Sequence, residues 1–556
     1  MFRFTLLGAA AVLAIHAPAF AQQAPADAAQ LAARIDAGIA SYYKAGEPGA
    51  SVIVTRDGKT LFRKGYGMAD IEGGAAMDPA LMLRIGSMTK QFTAVAILML
   101  AEQGKLKLDD DIAVHLPGYP TRGEKITIEH LLTHTSGIAS YTASPTFAAN
   151  RHLDISVPDL IASFRDQPLD FKPGARWAYN NSGYILLGAI IEKLSGMPYA
   201  GFIQQRILDP LGMRNTGYEN AQKGVLPRAK GYAQGDGKIV PSTPVATNKT
   251  YAAGALVSTV DDLARWDAAI SAGKLLSAES WKRAFTAYKL ADGRSANYGY
   301  GWEIGKVQGV DMAAHGGAVN GFSTYAIRIP AERVYVAVLS NAEYGVVQPD
   351  VVATKAAAIA IGKPLPDFRT VAVAPEALEA YTGIYVGEDK AVRTVRVEKG
   401  QLTLQRAGRP KMPLLPHAPD AFYLDKSLTH FAFVRDAQNK VAKLTIFQDG
   451  LQHDYPRTGD LPLPPKVIVL APALLDTYLG SYQMAPGFVL EVKRNGEQLI
   501  GQATGQPGLD LLATAEGAFV VKQIDATVRF VKGADGTVTN LVWNQGGRER
   551  AAPRAK

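Results

Sequence analysis

Cysteine is absent from all 556 residues of the sequence, which excludes disulfide bonds, thiol catalysis and a cysteine-linked lipid anchor. Beyond the N-terminal segment, no stretch of about 20 unbroken apolar residues occurs, so the sequence predicts no transmembrane span. The net charge is +8, but Lys and Arg form no cluster, and we therefore expect no nucleic-acid partner. Neither His-Glu-x-x-His nor Gly-x-Ser-x-Gly occurs, so we expect neither a metal nor another cofactor.

The first residues are typical of a secretory signal peptide. A short basic start precedes the apolar segment FTLLGAAAVLAIHAPAF, and Ala19-Phe20-Ala21 offers the small residues of a cleavage site. A membrane anchor is the alternative, but His16 and Pro18 break an apolar core that is already too short to span a bilayer. We therefore expect residues 1–21 to be removed and the mature protein to reside in the periplasm or outside the cell.

Two β-hairpins lie far apart along the chain. The segment ASVIVTRDGKTLFRKGYG alternates apolar and polar residues around the turn Asp57-Gly58, and a second alternating segment covers residues 321–341. The residues between them show mostly helical and loop patterns. We therefore predict one α+β domain over residues 27–362, in which an antiparallel sheet built from both ends is flanked by helices and carries an all-helical insert.

The C-terminal part of the chain repeats itself after a proline-rich linker at residues 363–376. Equivalent positions recur at a constant offset of 97 residues, as in Leu378, Tyr381, Gly383 and Tyr385, and Leu475, Tyr478, Gly480 and Tyr482. Each copy has short alternating segments separated by turn residues, which favours antiparallel β-structure, either a sandwich or a barrel. Because a closed sheet has no exposed edge, we predict two β-barrels, at residues 377–458 and 474–556.

A polar pair stands at the start of an apolar helix. In RIGSMTKQFTAVAILML, Ser87 and Lys90 are three residues apart, a spacing that makes side chains neighbours on a helix. A desolvated lysine can be neutral and accept the serine proton, while free N–H groups at the helix start face any oxyanion formed there. The alternative is a helix cap beside a solvated charge, because Ser-x-x-Lys also occurs at Ser41 and Lys44, where we expect helix surface.

Two further motifs carry polar groups suited to substrate binding. Tyr179 and Asn181 stand two residues apart just before an amphipathic helix, although Tyr-x-Asn recurs elsewhere in the chain. His315-Gly316-Gly317 precedes a hairpin strand, and Gly317 allows a substrate backbone to come close. On its own, His315 is also explained as a histidine at a strand edge.

Together the three motifs resemble those of the penicillin-recognising serine hydrolases, a family of class C β-lactamases, DD-peptidases, esterases and D-aminopeptidases. The motif order agrees, with gaps of 92 residues from Ser87 to Tyr179 and 136 residues from Tyr179 to His315. The flanking segment PGARWAYNNSGYILLGAIIEKLSGMPY also resembles sequence segments of this family. The resemblance covers residues 30–362 and implies a β-lactamase/DD-peptidase-like fold.

The resemblance implies that a serine is acylated, that a lysine and a tyrosine share the proton transfers, and that water releases the acyl group. The catalytic residues so implied are Ser87, Lys90 and Tyr179. The implied substrate-binding residues are Asn181, His315 and Gly317. The implied oxyanion hole consists of the backbone N–H groups of Ser87 and Ala318.

His315 departs from the lysine that class C β-lactamases have in the third motif, and a histidine there is common in the esterase and D-aminopeptidase branches. A neutral imidazole holds a carboxylate less firmly than an ammonium group does. We therefore predict an exported peptidase or amidase, with D-residue peptides among its substrates, or an esterase. A β-lactamase or DD-carboxypeptidase and a non-catalytic penicillin-binding receptor are the alternatives. The sequence leaves open whether the protein forms a homo-oligomer. We assign His134 and Thr135 to packing and loop hydrogen bonds.

Overall fold

The computed structural model describes residues 23–222, 227–235, 237–343, 346–366, 368–407, 409–425, 427–448, 451–461, 466–485, 488–504, 506–524, 526–545 and 548–555. The predicted signal peptide, residues 1–21, lies outside them. The chain divides into two compact units, with the boundary between residues 367 and 368. The predicted limits of the individual domains stay predictions.

The first unit mixes helices and strands. Its helices are α1 (Gln23–Ile39), α2 (Thr89–Glu102), α3 (Ile112–His115), α4 (Ile128–Leu132), α5 (Pro145–Asn150), α6 (Val157–Arg165), α7 (Asn181–Ser195), α8 (Tyr199–Ile203), α9 (Asp209–Leu211), α10 (Thr247–Gly254), α11 (Val260–Ser271), α12 (Ala278–Ala284) and α13 (Pro349–Ala360). Its strands are β1 (Ala50–Arg56), β2 (Lys59–Tyr66), β3 (Met68–Asp70), β4 (Ala75–Ala76), β5 (Leu83–Arg84), β6 (Gly217–Tyr218), β7 (Tyr232–Gly235), β8 (Lys238–Pro241), β9 (Leu256–Ser258), β10 (Glu303–Val307), β11 (Val310–Val319), β12 (Phe322–Ile329) and β13 (Val334–Ser340).

The main sheet of this unit is antiparallel and has the strand order β10-β11-β12-β13-β1-β2. The two ends of the unit meet where β1 pairs with β13, for example at Val52 opposite Val338. Both predicted hairpins are present, and the first turns at Asp57 and Gly58, whose φ angles are 54° and 70°. Positive φ at both turn residues matches the twist of the paired strands, which explains why Asp-Gly stands there.

Helices cover both faces of the main sheet. On one face, α1 and α13 share a core cluster with the strands, including Ile35, Val352 and Val336. On the other face, α11 packs against β13 and β1, and its Leu263 shares a second cluster with Leu339. Because both faces are covered, every residue of β13 is buried. The predicted α+β class, with an antiparallel sheet flanked by helices, is confirmed.

The insert between β2 and β10 is mainly helical, but the prediction that it is all-helical is wrong, because it also contains the short strands β3 to β9. One small sheet, β5-β9-β6, holds the segment that leads into the polar pair, since Leu83 pairs with Ser258. The helix that follows, α2, is buried on all sides along most of its length, as expected for an apolar helix at the centre of a domain. Among the described residues, no helix combines the length and the hydropathy that a membrane span requires.

The second unit consists of two antiparallel β-structures. After α14 (Pro375–Leu378), a closed barrel is formed in chain order by β14 (Gly383–Val386), β15 (Val392–Glu398), β16 (Gln401–Arg406), β17 (Lys411–Ala418), β18 (Ala421–Tyr423), β19 (His430–Arg435), β20 (Val441–Gln448) and β21 (Leu451–Gly459). After α15 (Pro472–Asp476), a second sheet is formed by β22 (Gly480–Ala485), β23 (Phe488–Asn495), β24 (Gln498–Ala503), β25 (Leu509–Ala515), β26 (Ala518–Val521), β27 (Ala526–Lys532), β28 (Val538–Gln545) and β29 (Arg548–Pro553). A bridge between Tyr482 and Arg554 nearly closes this second barrel.

Equivalent residues of the two barrels make equivalent contacts. The hydroxyl of Tyr385 donates to the carbonyl oxygen of Tyr381 at 2.7 Å, and that of Tyr482 donates to the carbonyl oxygen of Tyr478 at 2.8 Å. Both pairs obey the offset of 97 residues found in the sequence. The prediction of two repeated antiparallel barrels is therefore confirmed, the second being nearly rather than fully closed.

Candidate active site

Ser87 lies in the 3₁₀ turn Gly86–Met88 that leads into α2, and it is half-buried. Neither this turn nor α2 is capped by a side-chain hydrogen bond, so Ser87 does not act as a helix cap. Its Oγ atom instead lies 3.0 Å from Nζ of Lys90. The second Ser-x-x-Lys, at Ser41 and Lys44, has both side chains exposed at the surface. The structure therefore brings serine and amine together at the first motif.

Lys90 is fully buried, and its amine is surrounded by uncharged oxygen atoms. Nζ lies 2.8 Å from Oδ1 of Asn181 and 2.9 Å from the carbonyl oxygen of Ala253, in addition to Oγ of Ser87. Burial lowers the pKa of Lys90 well below its ordinary value of 10.5, because no carboxylate among the described residues pairs with it. A neutral amine has two N–H groups, which match Asn181 and Ala253, and one lone pair, which can accept the proton of Ser87.

The second motif is held in place by the start of α7. Oδ1 of Asn180 accepts a hydrogen bond from the N–H of Gly183 at 2.8 Å and so caps the helix. The N–H of Asn180 donates to Nδ1 of His134 at 3.1 Å, which ties the loop to the segment after α4. These two bonds fix the backbone around Asn181, so that its amide oxygen reaches Lys90.

Tyr179 lies at the edge of the site and is 38% exposed. Its ring centroid is 4.8 Å from Nζ of Lys90 and 4.4 Å from the ring of His134. The ring of His315 is 6.2 Å away. Tyr179 thus lies between the buried amine, the third motif and solvent, which is a suitable position for a group that passes protons between them.

His315 lies within β11 and is 1% exposed. Its Nδ1 is 2.5 Å from the carbonyl oxygen of Gly316, and its Nε2 is 2.7 Å from the hydroxyl of Tyr298. Nδ1–H therefore donates to Gly316, while Tyr298 donates to Nε2. Burial, followed by the charge of a protonated Lys90, lowers the pKa of His315 from 6.5 to about 3, so the ring is neutral at ordinary pH. Both nitrogens are engaged within the protein, and direct contact of His315 with a substrate stays a prediction.

Two glycines allow β11 to lie directly against the turn that carries Ser87. A Cβ atom at Gly317 would be 2.0 Å from the carbonyl oxygen of Ile85, and one at Gly86 would be 2.9 Å from the backbone nitrogen of Ala318. Gly86 also has a φ of 52°, a conformation that favours glycine. The two N–H groups predicted for the oxyanion hole, those of Ser87 and Ala318, therefore belong to segments in direct contact, and their function stays a prediction.

A family model described as Beta-lactamase matches residues 28–361, which is more than half of the chain. The chain belongs to the Beta-lactamase family. A second model, described as a domain of unknown function (DUF3471), matches residues 369–456, which contain most of the first barrel. The resemblance read from the three motifs is thereby confirmed at the level of the family.

Relatives of this Beta-lactamase family member include penicillin-binding proteins. One from Bacillus subtilis (strain 168) is 29% identical over 432 residues, which cover 73% of this chain and 94% of that protein. The putative penicillin-binding protein PbpX of the same organism is 32% identical over 271 residues, 48% of this chain and 64% of its own length. Among solved structures, an octameric penicillin-binding protein homologue from Pyrococcus abyssi matches with a TM-score of 0.55 and 29% identity, covering 77% of this chain and 100% of that one.

Three groups in this Beta-lactamase family site were not assigned to it from the sequence. Tyr298 donates to His315, the carbonyl of Ala253 accepts from Lys90, and His134 holds the backbone of Asn180. No motif surrounds Tyr298, and a backbone carbonyl leaves no trace in the residue type. His134 was assigned to packing and loop hydrogen bonds, and the contact to Asn180 is such a bond.

The carbonyl of Ala253 is available because it lies in the last turn of α10, where carbonyl groups have no partner within the helix. Tyr251 has φ 35° and ψ −129° inside the helix, a strained conformation for a residue with a side chain. Next to this residue the carbonyl oxygens of Ala252 and Ala253 accept from Thr93 at 2.6 Å and from Lys90 at 2.9 Å. The last turn of α10 therefore offers two backbone acceptors to α2, and one of them is a partner of the buried amine.

Proposed function

We propose that the chain is a serine hydrolase that works through an acyl-serine intermediate. The distance of 3.0 Å between Oγ of Ser87 and the buried amine of Lys90 carries this proposal. The hydroxyl proton moves to Nζ as Oγ bonds to the substrate carbonyl carbon, and the carbonyl oxygen becomes an oxyanion. Backbone N–H groups of Ser87 and Ala318 receive that oxyanion, and each donor of this kind contributes about 2.7–4 kcal/mol in hydrolases.

The same groups complete the cycle. Collapse of the tetrahedral intermediate breaks the bond to the leaving nitrogen or oxygen, which takes the proton from Lys90 directly or through Tyr179. Water then attacks the acyl carbon and gives its proton to the same base. The second intermediate collapses to a free acid, and Oγ of Ser87 regains its proton. The partial exposure of Tyr179 supports its role as the carrier between the amine and the leaving group.

The proposed substrates are peptides or other amides, including those with D-residues, or small esters. His315 supports this choice, since a neutral ring with both nitrogens engaged provides no cation for a substrate carboxylate. Trp177 and Tyr179 are each 38% exposed, and the ring of Trp177 lies 6.3 Å from that of His134. Exposed rings beside the site favour an apolar or aromatic group next to the scissile bond.

Cleavage of β-lactams or of D-alanyl peptides is a second candidate activity, supported by the names of the relatives, which are penicillin-binding proteins. The third candidate is not an enzyme but a penicillin-binding receptor, which keeps the acyl group on its serine. The three candidates differ in the fate of the acyl group on Ser87. Esters and D-amides are turned over in the first, β-lactams are turned over in the second, and an adduct persists in the third.

A substrate panel separates these candidates. The full chain and Ser87→Ala are mixed with a p-nitrophenyl ester, D- and L-alanyl p-nitroanilides and a chromogenic cephalosporin, and the intact mass is followed over time. We expect turnover of the ester and the D-anilide with a transient acyl adduct that Ser87→Ala lacks. Equal turnover by Ser87→Ala would remove the proposal, and a stable cephalosporin adduct without any turnover would favour the receptor.

We further propose that the protein is exported after cleavage near Ala21 and that it assembles as a homo-oligomer. The composition of residues 1–21 supports export. The octameric state of the Pyrococcus abyssi homologue supports assembly. N-terminal sequencing of protein from a cell envelope fraction and light scattering of the purified chain test the two parts. Retention of residues 1–21 would contradict export, and a monomeric mass would contradict assembly.

A further inference from the structure

The second barrel contains a cavity of about 650 Å³. Most of its wall is apolar and comes from Met484, Phe488, Leu490, Leu509, Ile524 and Trp543. This volume is within the usual range of small-molecule sites, about 300–1,000 Å³. Barrels of about eight antiparallel strands are wide enough to hold one small ligand when side chains do not fill the interior.

The first barrel has the same fold, but a buried arginine occupies one position that lines the cavity in the second barrel. At the offset of 97 residues, Arg393 corresponds to Leu490 and Tyr455 corresponds to Ala552. The Arg393 guanidinium lies 3.7 Å from the centroid of the Tyr455 ring. It also donates to the carboxylate of Asp389 at 2.9 Å, and its side chain is only 8% exposed. These residues fill that end of the first barrel with a stacked and charge-paired arginine.

The second barrel has smaller side chains at these positions. Leu490 and Ala552 replace the stacked pair, and Gly501 stands where the first barrel has the buried Leu404. A Cβ atom at Gly501 would make ordinary contacts of 3.5 Å, so no close neighbour requires a glycine there. Of these three positions, Leu490 lines the cavity, and a Cβ atom at Gly501 would contact Leu490. The exchange of Arg393 for the smaller, apolar Leu490 is therefore the difference between the copies that bears directly on the cavity wall.

A basic side chain, that of Arg550, borders this cavity. Arg550 lies directly opposite Trp543 in the β28–β29 register, so the two share a face of the sheet. Glu549 also borders the cavity, but it pairs with Asn544 and belongs to the opposite face. Arg550 forms no ion pair with any residue that the structure describes, and its planar fork suits a carboxylate.

We propose that the second barrel binds one molecule of an amphiphilic carboxylate, with its apolar chain in the cavity and its carboxylate at Arg550. The apolar wall supplies affinity for the chain, and the arginine selects the acidic head group. This site is independent of Ser87 and of the proposed hydrolysis, and its ligand does not have to be a substrate.

Binding is measured on the full chain with the fluorescent probe 11-(dansylamino)undecanoic acid, displaced by dodecanoate or by dodecanol. Ala503→Phe places a ring in the cavity, and Ala503→Ser is the matched control, which adds only a hydroxyl group at the same position. We expect Ala503→Phe to weaken probe binding at least about tenfold and Ala503→Ser to keep it. Ser87→Ala should bind the probe like the original chain, which separates this site from the catalytic one.

Arg550→Gln tests the head group at an exposed position, where loss of folding is not expected. We expect it to weaken dodecanoate binding about tenfold and to leave dodecanol unaffected, because only the charged hydrogen bond is lost. If the probe does not bind, or if Ala503→Phe binds it unchanged, the cavity is not a ligand site. If Arg550→Gln affects both displacers equally, the carboxylate assignment is wrong. Ester hydrolysis should be the same in Ala503→Phe and the original chain.

Discussion

The hydroxyl of Tyr298 donates a hydrogen bond of 2.7 Å to Nε2 of His315, and both residues are about 1% exposed. This bond fixes which nitrogen of the imidazole carries the proton, because Nδ1–H is directed to the carbonyl of Gly316. The third motif therefore places a neutral ring near the buried amine of Lys90 and adds no positive charge beside it. Tyr298 acts on the site through His315 and is a positioning residue.

Replacement of Tyr298 by Phe keeps the ring and removes the hydroxyl, which also forms a hydrogen bond with Tyr184. We expect kcat to fall while KM changes little, because Nε2 of His315 loses its partner without loss of packing. A buried unsatisfied nitrogen costs about 1–3 kcal/mol of stability. Tyr385→Phe in the first barrel, which also loses a buried hydroxyl bond of 2.7 Å, is the control and should lower stability without changing kcat. An unchanged kcat in Tyr298→Phe would contradict the positioning role.

Lys90 should make the stability of the protein depend on pH in a defined direction. Its pKa is lowered by burial in the folded state and is about 10.5 in the unfolded chain, so between these values the unfolded chain binds the extra proton. Stability therefore rises with pH through this window, by at most about 1.4 kcal/mol per pH unit for one proton. Urea unfolding of the original chain and of Lys90→Met at several pH values measures it. The variant should lack this slope, and equal slopes would show that the amine is charged in the fold.

Addition of one methyl group at Gly317 should separate β11 from the turn that carries Ser87. The new Cβ would stand 2.0 Å from the backbone oxygen of Ile85, which cannot move without displacing that turn. We expect Gly317→Ala to lower kcat/KM at least about a hundredfold, as loss of one oxyanion donor does. Gly305→Ala in β10 is the control, since its Cβ would meet only the flexible end of Met312 at 3.0 Å. Similar activities of the two variants would contradict the direct contact between β11 and the turn that carries Ser87.

The hairpins and the repeat could be predicted from the sequence because they depend on local patterns of residues. Asp57-Gly58 specifies its turn through backbone conformation, and a constant offset preserves the alternation of buried positions. The same holds for Ser87 and Lys90, whose contact follows from one turn of helix. These features need no knowledge of how distant segments pack.

The rest of the site depends on tertiary contacts that leave no local pattern. Tyr298 reaches His315 from the loop before β10, and Ala253 contributes only a carbonyl from the last turn of α10. Short strands such as β5 and β9 were missed for a similar reason, since two or three residues are too few to show alternation. The sequence identified the motif residues and the structure added the groups that hold them.

Removal of the second unit should leave a folded hydrolase. A chain that ends at residue 366 retains the main sheet and both of its helical layers, because those elements all precede the boundary between the units. We expect cooperative unfolding by circular dichroism and ester hydrolysis in the shortened chain. A shortened chain that is insoluble or unfolded would show that the barrels are needed for the fold of the first unit.

In the proposed mechanism, the hydroxyl of Ser87 becomes acylated because the neutral amine of Lys90 takes its proton. The most direct test is acid quenching of the reaction with a p-nitrophenyl ester, followed by peptide mass spectrometry. We expect an acyl group on Ser87 in the original chain and no acyl group on this peptide in Ser87→Ala or Lys90→Met. An acyl group on any other residue, or rapid acylation of Ser87 in Lys90→Met, would contradict this mechanism.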